Sequence, residues 1–320
     1  MATRKRQIIV LAGGTGDLAR YLHEELIKSG RYSVVLLTRR DPSSSPSGDP
    51  HTTIHKTDYT TPSLLNIFNS TNAYALISTI RCPNSDYIPL HTALLTACLQ
   101  SKTCKTFIPS EWGGNIDDFP DLPMSYGLTR APFRKQLEAA APSIRSTIIN
   151  LGWFMEYFVP ARCSHMRYIP GEFPIDVQDG KWEYTVIGTG DEMQSWVLGR
   201  DVARAVVALL GSKKDWEPVT YVSGGWSTFN AAAAVLGTFY GRSFKRKYRS
   251  VSDINASLDE YQNRENKEDI GVVELEQCIL KGALAVPMEK TLRQREKYFA
   301  GIHFMSLEEM VLKAENEGRL

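Results

Sequence analysis

Through its first 150 or so residues the chain alternates short apolar runs with stretches whose apolar residues return every three or four positions. Gln7-Ile8-Ile9-Val10 begins the series and Tyr32-Ser33-Val34-Val35-Leu36-Leu37-Thr38 continues it, and further runs at 53–56, 73–80, 105–110 and 146–152 read as strands. Between them Leu18, Tyr21, Leu22 and Leu26 lie on one helical face. Helices are also predicted over 62–68, with Pro62 fit for a first position, over 87–100 (Ile88, Leu90, Ala93, Leu94, Ala97, Cys98) and over 132–140. Repeated strand–helix units of this length specify an α/β fold, an open, doubly wound parallel sheet with helices on both faces. From Trp153 the rhythm breaks. Asp179-Gly180 and Gly188-Thr189-Gly190 signal hairpins, Asp201 opens an amphipathic helix, and helical patterns cover 230–240, 253–261, 272–280 and 307–313. The sequence thus predicts a sheet domain over 1–152 and a smaller, mixed α/β region over 153–320, segments of which can pack back onto the sheet.

Composition narrows the function classes. The chain has 320 residues, 42% of them hydrophobic, and its 37 basic and 36 acidic residues leave a net charge of +1. No global field would recruit nucleic acid or an anionic membrane, and no apolar run is long enough to span a bilayer, so a cytoplasmic location is expected. Five scattered cysteines without a CxxC pair indicate free thiols rather than a disulfide framework or a zinc site. The basic run 242–249 alternates with Phe244 and Tyr248, which fits one exposed strand better than a nucleic-acid surface. Residues 41–50 are rich in Pro, Ser and Gly and read as a flexible segment.

The chemistry starts where the first strand ends. Gly13-Gly14-Thr15-Gly16-Asp17-Leu18-Ala19 joins an apolar strand to a helix, with Gly13, Gly16 and Ala19 spaced GxxGxxA. Gly13 would make the tight turn, Gly16 would let the backbone approach a pyrophosphate, and Ala19 is small enough for helix-on-sheet packing. Backbone N–H groups at a helix N-terminus suit such an anion, while the Asp17 carboxylate is expected to point away from it. One strand later the chain ends not in an acid for a ribose 2′-hydroxyl but in Arg39-Arg40, which suits a 2′-phosphate. The predicted cofactor is therefore NADP(H) rather than NAD(H). Asp58-Tyr59 at the end of the third strand is placed to contact the adenine edge in this reading, and Thr79 and Ser110 occupy the polar tips of the fourth and fifth strands, where a ligand crevice lies.

Assembled, these stretches resemble the NmrA-like and isoflavone-reductase-like family of atypical short-chain dehydrogenases. The resemblance rests on GGTGDLA at 13–19, Arg39, FIPSEWG at 107–113, RKQLEA at 134–139, NLGWFMEYF at 150–158, Asp201-Val202-Ala203 and Ser227-Thr228-Phe229-Asn230, and covers essentially the whole chain. It implies an NADP(H)-binding Rossmann domain, a smaller C-terminal substrate domain, and either reduction of a small, often aromatic molecule or, in regulatory members, cofactor sensing without turnover. It also implies a catalytic lysine four residues before an arginine. Aligned on 134–139, Arg130 stands at the lysine position and Arg134 at the arginine.

Arginine stays charged, so Arg130 can stabilise a developing oxyanion but cannot hand over a proton. Tyr126 is the candidate donor, because Tyr126-Gly127-Leu128-Thr129-Arg130 reads as a YxxxK motif with arginine in the last place. Pro132 opposes that pairing: a helix beginning there would leave Tyr126 before it. Glu111 reads equally as a structural partner or a general acid. Trp112, Trp153, Phe154, Tyr157 and Phe158 would wall a pocket for an apolar substrate, the other reading of the aromatic run being plain core. His165 and His303 read as packed or surface residues rather than catalytic ones. The leading expectation is an NADPH-dependent reductase of a small aromatic or polyketide-like metabolite. Beside it stand a non-catalytic NADP(H) sensor that docks a protein partner and a redox-neutral isomerase or dehydratase that retains the cofactor.

Overall fold

The computed structural model describes residues 5–40, 48–82, 84–263 and 271–316, so most of the segment expected to be flexible (41–47) lies outside the described residues. Strands β1 (Gln7–Ala12), β2 (Tyr32–Thr38), β3 (Thr52–Lys56), β4 (Ala73–Ser78), β5 (Thr106–Ile108) and β6 (Arg145–Ser146) form one parallel sheet in the order β3-β2-β1-β4-β5-β6. Helices α1 (Asp17–Lys28), α2 (Thr61–Thr71), α3 (Tyr87–Gln100) and α4 (Met124–Ala140) join these strands. In β1 the residues Ile9, Val10, Leu11 and Ala12 are fully buried, as a central strand covered on both faces requires. Strand order reverses between β1 and β4, so the chain leaves those two strands in opposite directions and opens a crevice at their carboxyl ends.

Two boundaries differ from the sequence pattern. The run at 146–152 is not one strand. β6 pairs with β5, whereas β7 (Ile148–Asn150) pairs with β12 (Val219–Tyr221), and the change of neighbour occurs at Thr147, whose hydroxyl meets that of Thr220 at 2.8 Å. Helix α4 starts at Met124, eight residues before Pro132, which lies inside it. Glu274 makes this possible: its carboxylate accepts from the Ser125 amide (3.2 Å) and hydroxyl (2.7 Å), satisfying the first turn from outside the helix. The hydrogen bond that Pro132 cannot make belongs to the Leu128 carbonyl, and Leu128 is 75% exposed, so solvent is at hand. Tyr126 and Arg130 therefore share a helix, which the position of Pro132 argues against.

The chain divides into two compact units that interleave in sequence: 1–111, 128–149 and 203–220 in one, 112–127, 150–202 and 221–320 in the other. The first holds the six-stranded sheet. In the second, β10 (Glu183–Ile187) lies between antiparallel β9 (Ile175–Asp176) and parallel β14 (Lys245–Arg249), and β11 (Gln194–Val197) between parallel β8 (Trp153–Phe154) and antiparallel β13 (Gly225–Ser227). The turn from β9 to β10 uses Asp179 and Gly180 at φ 51° and 75°, as the Asp-Gly signal requires. Helix α5 (Gly199–Gly211) precedes β12, and α6 (Phe229–Tyr240), α7 (Val251–Gln262), α8 (Val272–Leu280), α9 (Met288–Tyr298) and α10 (Leu307–Asn316) follow β13.

The core of the second unit is aromatic, with Phe158 edge-on to Phe173 (4.9 Å) and Trp196 (5.2 Å). Helix α9 has no counterpart in the hydrophobic pattern because Thr291 and Gln294 supply much of its buried face, and Gln294 accepts from the Tyr221 amide at 2.7 Å. Among the described residues no helix is long and apolar enough to cross a membrane.

Candidate functional site

The glycine turn sits at the strand-order reversal. Gly13 takes φ 73°, and a Cβ on Gly14 would come within 2.9 Å of the Leu36 side chain and 3.0 Å of the Leu11 carbonyl, so the tight approach to β2 is made at Gly14. The Gly16 amide closes the turn onto the Gly13 carbonyl at 3.0 Å. Gly16 is also the N-cap of α1 and brings no side-chain oxygen to its first-turn amides, which leaves that end of the helix fit for an anion. Thr15 is exposed at the tip, Asp17 opens the helix, and the Leu18 and Ala19 side chains are buried, so Leu18 can serve a ligand only through its main chain.

Two neighbours brace the turn. Thr79, just past β4, donates its hydroxyl to the Ala12 carbonyl (3.1 Å) and the Gly13 carbonyl (3.2 Å). Tyr59, expected from the sequence only as the partner of Asp58 at the end of the third strand, accepts from the Gly13 amide at 3.1 Å and donates to the Leu37 carbonyl at 3.2 Å. Burial pushes its phenol pKa up.

Arg39 follows β2 and lies with its guanidinium carbon 5.4 Å from the centre of the Tyr59 ring. It lines a groove with Lys56, Thr57, Asp58 and Ser63. Lys56, at the end of β3, is a second exposed cation there, and only its place in the sheet reveals it. Arg40 is exposed, its amide bonded to the Thr38 hydroxyl, and does not line this groove. The exposed Asp58 carboxylate accepts from the Thr60 amide (3.0 Å) and hydroxyl (2.8 Å), and the amide bond leads in holding its pKa below the usual range.

At the tips of β4 and β5 stands a buried polar stack. Arg130, 4% exposed, places its guanidinium carbon 4.0 Å from the Tyr87 ring centre and donates to the Thr129 hydroxyl at 2.9 Å. Tyr87 in turn stacks on His91 with centroids 3.8 Å apart. The His91 Nε2 lies 3.4 Å from the Ser110 amide, which can only donate, and 3.2 Å from the Ser78 hydroxyl. Nε2 is therefore the acceptor, and Nδ1–H donates to the Tyr87 carbonyl at 3.1 Å. Burial, with the Arg130 charge adding to it, lowers the His91 pKa to about 3 and keeps the ring neutral. His91 is a further residue absent from the sequence expectations; its signal is the i, i+4 relation to Tyr87 on the buried face of α3.

Ser110 donates its hydroxyl to the Ile80 carbonyl at 2.9 Å, so it ties two strand exits together. Arg134 forks onto the nearly buried Glu111 carboxylate through Nε and Nη2. That geometry makes Glu111 the structural partner rather than a general acid, and it spends much of the Arg134 fork on the protein itself.

Of the expected pocket walls, Trp153 is core: it is 6% exposed, packs at 5.3 Å on Phe173, and donates its indole N–H to Gln194 at 3.2 Å. Trp153 thus takes the second of its two readings, core, and so does Phe158, which is fully buried against Phe173 and Trp196. Phe154 and Tyr157 are half-buried and meet edge-on at 6.3 Å. Trp112 is half-buried at φ 48°, an uncommon conformation for a bulky residue. Tyr126 is half-buried in the first turn of α4. His303 is exposed against Glu309 at 2.9 Å, and His165 is half-buried. All five cysteines are free thiols.

No family model matches the chain. It is 33% identical over 300 residues to a protein named oxidoreductase swnR from Metarhizium robertsii, across 93% of this chain and 94% of that one. It is 21% identical over 266 residues to the isoflavone reductase homolog A622 of Nicotiana glauca, across 79% and 80% of the two chains. Among solved structures, the binary complex of leucoanthocyanidin reductase and NADPH from Vitis vinifera matches with a TM-score of 0.70 at 17% identity, over 96% of this chain and 98% of that one. At that identity the likeness is one of fold.

Proposed function

The chain belongs to the isoflavone-reductase-like family of oxidoreductases, and from that premise we propose that it is an NADPH-dependent reductase of a small, apolar, aromatic or polyketide-like metabolite. When bound, the nicotinamide cofactor supplies a hydride. The residues present fit it: the turn from Gly13 to Leu18 offers a pyrophosphate the uncapped end of α1, and Arg39 with Lys56 offers a 2′-phosphate two cations in one groove. Thr79 and Ser110 hold the strand tips against which the cofactor lies, Asp58 borders the adenosine end, and Arg40 adds positive charge nearby. Arg134 keeps α4 registered on β5 through Glu111.

The observation that carries the reading is Arg130, a guanidinium 4% exposed and stacked at 4.0 Å on Tyr87 beside the tips of β4 and β5. A fixed cation in a water-poor site stabilises charge that develops on a carbonyl oxygen far better than one in bulk solvent. Arg130 holds that charge and Tyr126, one helical turn earlier in α4, supplies the proton. Trp112, Phe154 and Tyr157 offer apolar surface to the substrate. We place the protein in the cytoplasm, where its five free thiols stay reduced.

Arginine where the family's catalytic lysine is expected favours one second reading, an NADP(H) sensor that docks a protein partner without turnover. Calorimetric titration with NADPH, NADP⁺ and NADH, followed by cofactor oxidation against a panel of aromatic ketones and enones, separates the two. Tight NADPH binding with turnover supports the reductase. Tight binding with no oxidation on any substrate moves the assignment to the sensor.

A further inference from the structure

We propose that Tyr59 is a positioning residue that couples the phosphate-binding turn to the 2′-phosphate groove, its hydroxyl setting the first and its ring setting the second. The inference rests on the NADPH reading above and adds to it a residue that touches neither phosphate.

The hydroxyl is placed where the β1–β2 ladder stops. The last paired residues are Ala12 and Leu37, and in a continuing parallel ladder the next rung would run from the Gly13 amide to the Leu37 carbonyl. The Tyr59 oxygen stands between those two groups, accepting from one at 3.1 Å and donating to the other at 3.2 Å. One oxygen atom thus spreads the two chains where the turn must leave the sheet, and both backbone groups stay satisfied. The Gly13 amide is held by protein, which leaves the anion to the amides at the head of α1.

The ring performs the second task. Arg39 is exposed and lines the groove with Lys56, Asp58 and Ser63, and its guanidinium carbon lies 5.4 Å from the centre of the Tyr59 ring, within cation–π range. A long exposed side chain is thereby held over the groove rather than spread over many rotamers. Tyr59 itself is 6% exposed and sits at φ 63°, a left-handed conformation that is strained for an aromatic residue and persists only where the surroundings impose it.

Two substitutions separate hydroxyl from ring. Phe and Leu carry the same backbone strain at this φ as Tyr, so neither Tyr59→Phe nor Tyr59→Leu adds any, and thermal melts verify that both fold. The probes are NADPH and NADH in calorimetric titrations of the full chain. Tyr59→Phe is expected to weaken both by the same factor, about five- to tenfold for one lost hydrogen-bond relay, leaving their ratio unchanged. Tyr59→Leu is expected to weaken both and also to cut the preference for NADPH by about two- to fivefold, the scale of an exposed cation–π contact.

If Tyr59→Phe binds both nucleotides as tightly as the parent, or more tightly because the Gly13 amide is freed, the hydroxyl's role is refuted. If Tyr59→Leu keeps the ratio seen in Tyr59→Phe, the ring's role is refuted. A parent protein with equal affinity for NADPH and NADH overturns the NADPH reading, and the ring's role with it, while the Tyr59→Phe comparison on NADH still decides the hydroxyl's.

Discussion

Arg39 and Arg130, two of the arginines that the sheet unit lays on tyrosines, differ in almost everything else. Arg39 is exposed, with its guanidinium 5.4 Å from the Tyr59 ring at the end of the sheet where β2 and β3 finish. Arg130 is 4% exposed, 4.0 Å from Tyr87, and backed by a histidine held neutral. An exposed guanidinium is hydrated and screened, so its use is to recognise a charge that arrives with a ligand. A buried one has already lost its water on folding, so its use is to meet a charge that appears only during a reaction. In the function proposed above, the same pair of residue types serves as a binding group in one place and as an electrostatic catalyst in the other, and the observed difference between them is burial.

Removing the buried member should have the largest effect. Arg130→Met keeps much of the side-chain volume and is expected to lower kcat by about 10² to 10³, the scale of a lost oxyanion stabiliser, while the Kd for NADPH changes by less than about twofold. Steady-state kinetics on an accepted ketone or enone, with calorimetry on the same preparation, measure both. A loss of NADPH affinity matching the loss of kcat would make Arg130 a cofactor-binding residue and erase the contrast with Arg39. Arg130→Lys restores a cation that can also give a proton, so it should recover part of the rate.

The neutral histidine behind Arg130 gives the next effect, in stability. His91 titrates near 6.5 in the unfolded chain and at about 3 in the fold. Above 6.5 neither state is protonated there and the stabilisation is complete. Between 6.5 and about 3 the unfolded state binds a proton that the folded state refuses, so stability falls by about 1.4 kcal/mol per pH unit as the pH drops. His91→Gln removes the titration. Denaturant unfolding at pH 7 and pH 4 should therefore show the advantage of the parent over the variant shrinking by about 3 kcal/mol. His23, whose pKa is also lowered by burial, is common to both proteins and cancels. An advantage equal at both pH values would mean that the imidazole is not held neutral.

How much of this the sequence shows depends on whether a residue's role is set by its own strand and turn or by what packs on it. The places of Gly13 and Gly16 in a strand-to-helix turn and of Arg39 just past a strand are legible because each is set by the local run of apolar residues and glycine. The Asp-Gly hairpin at 179–180 is legible for the same reason. The most distinctive motifs, FIPSEWG and NLGWF, are tied to each other through their glycines: the Gly113 carbonyl accepts from the Leu151 and Gly152 amides, and the Gly113 amide donates to the Asn150 side chain at 2.8 Å. A Cβ at Gly152 would lie 2.3 Å from the Ser195 hydroxyl, which is reason enough for glycine there. Lys56 and His91 escape the periodicity because their neighbours come from other strands, and Tyr59 is legible as a residue at a strand end but not as the partner of the Gly13 amide. The start of α4 escapes it because Glu274, some 150 residues away in the chain, supplies the cap. The two readings of Trp153 cannot be separated in sequence, because an aromatic residue at a domain start looks the same whether it faces a pocket or a core.

A smaller effect than either of these falls on the exposed arginine, and salt sharpens it. Arg39→Gln should weaken NADPH about tenfold, the scale of one exposed charge-assisted contact, and leave NADH within about twofold. Because Arg39 and Lys56 lie in solvent, their attraction for a phosphate is screened, and raising ionic strength from about 0.05 to 0.5 M should reduce the parent's preference for NADPH and bring its NADPH affinity towards that of the variant. Arg130 is shielded from those ions, so kcat at saturating NADPH should stay level over the same range. If salt lowers kcat as it lowers NADPH affinity, Arg130 is open to solvent in the working protein and the two stacks are of one kind. If salt leaves the nucleotide preference untouched, the 2′-phosphate is recognised at a buried site and not in the groove beside Arg39.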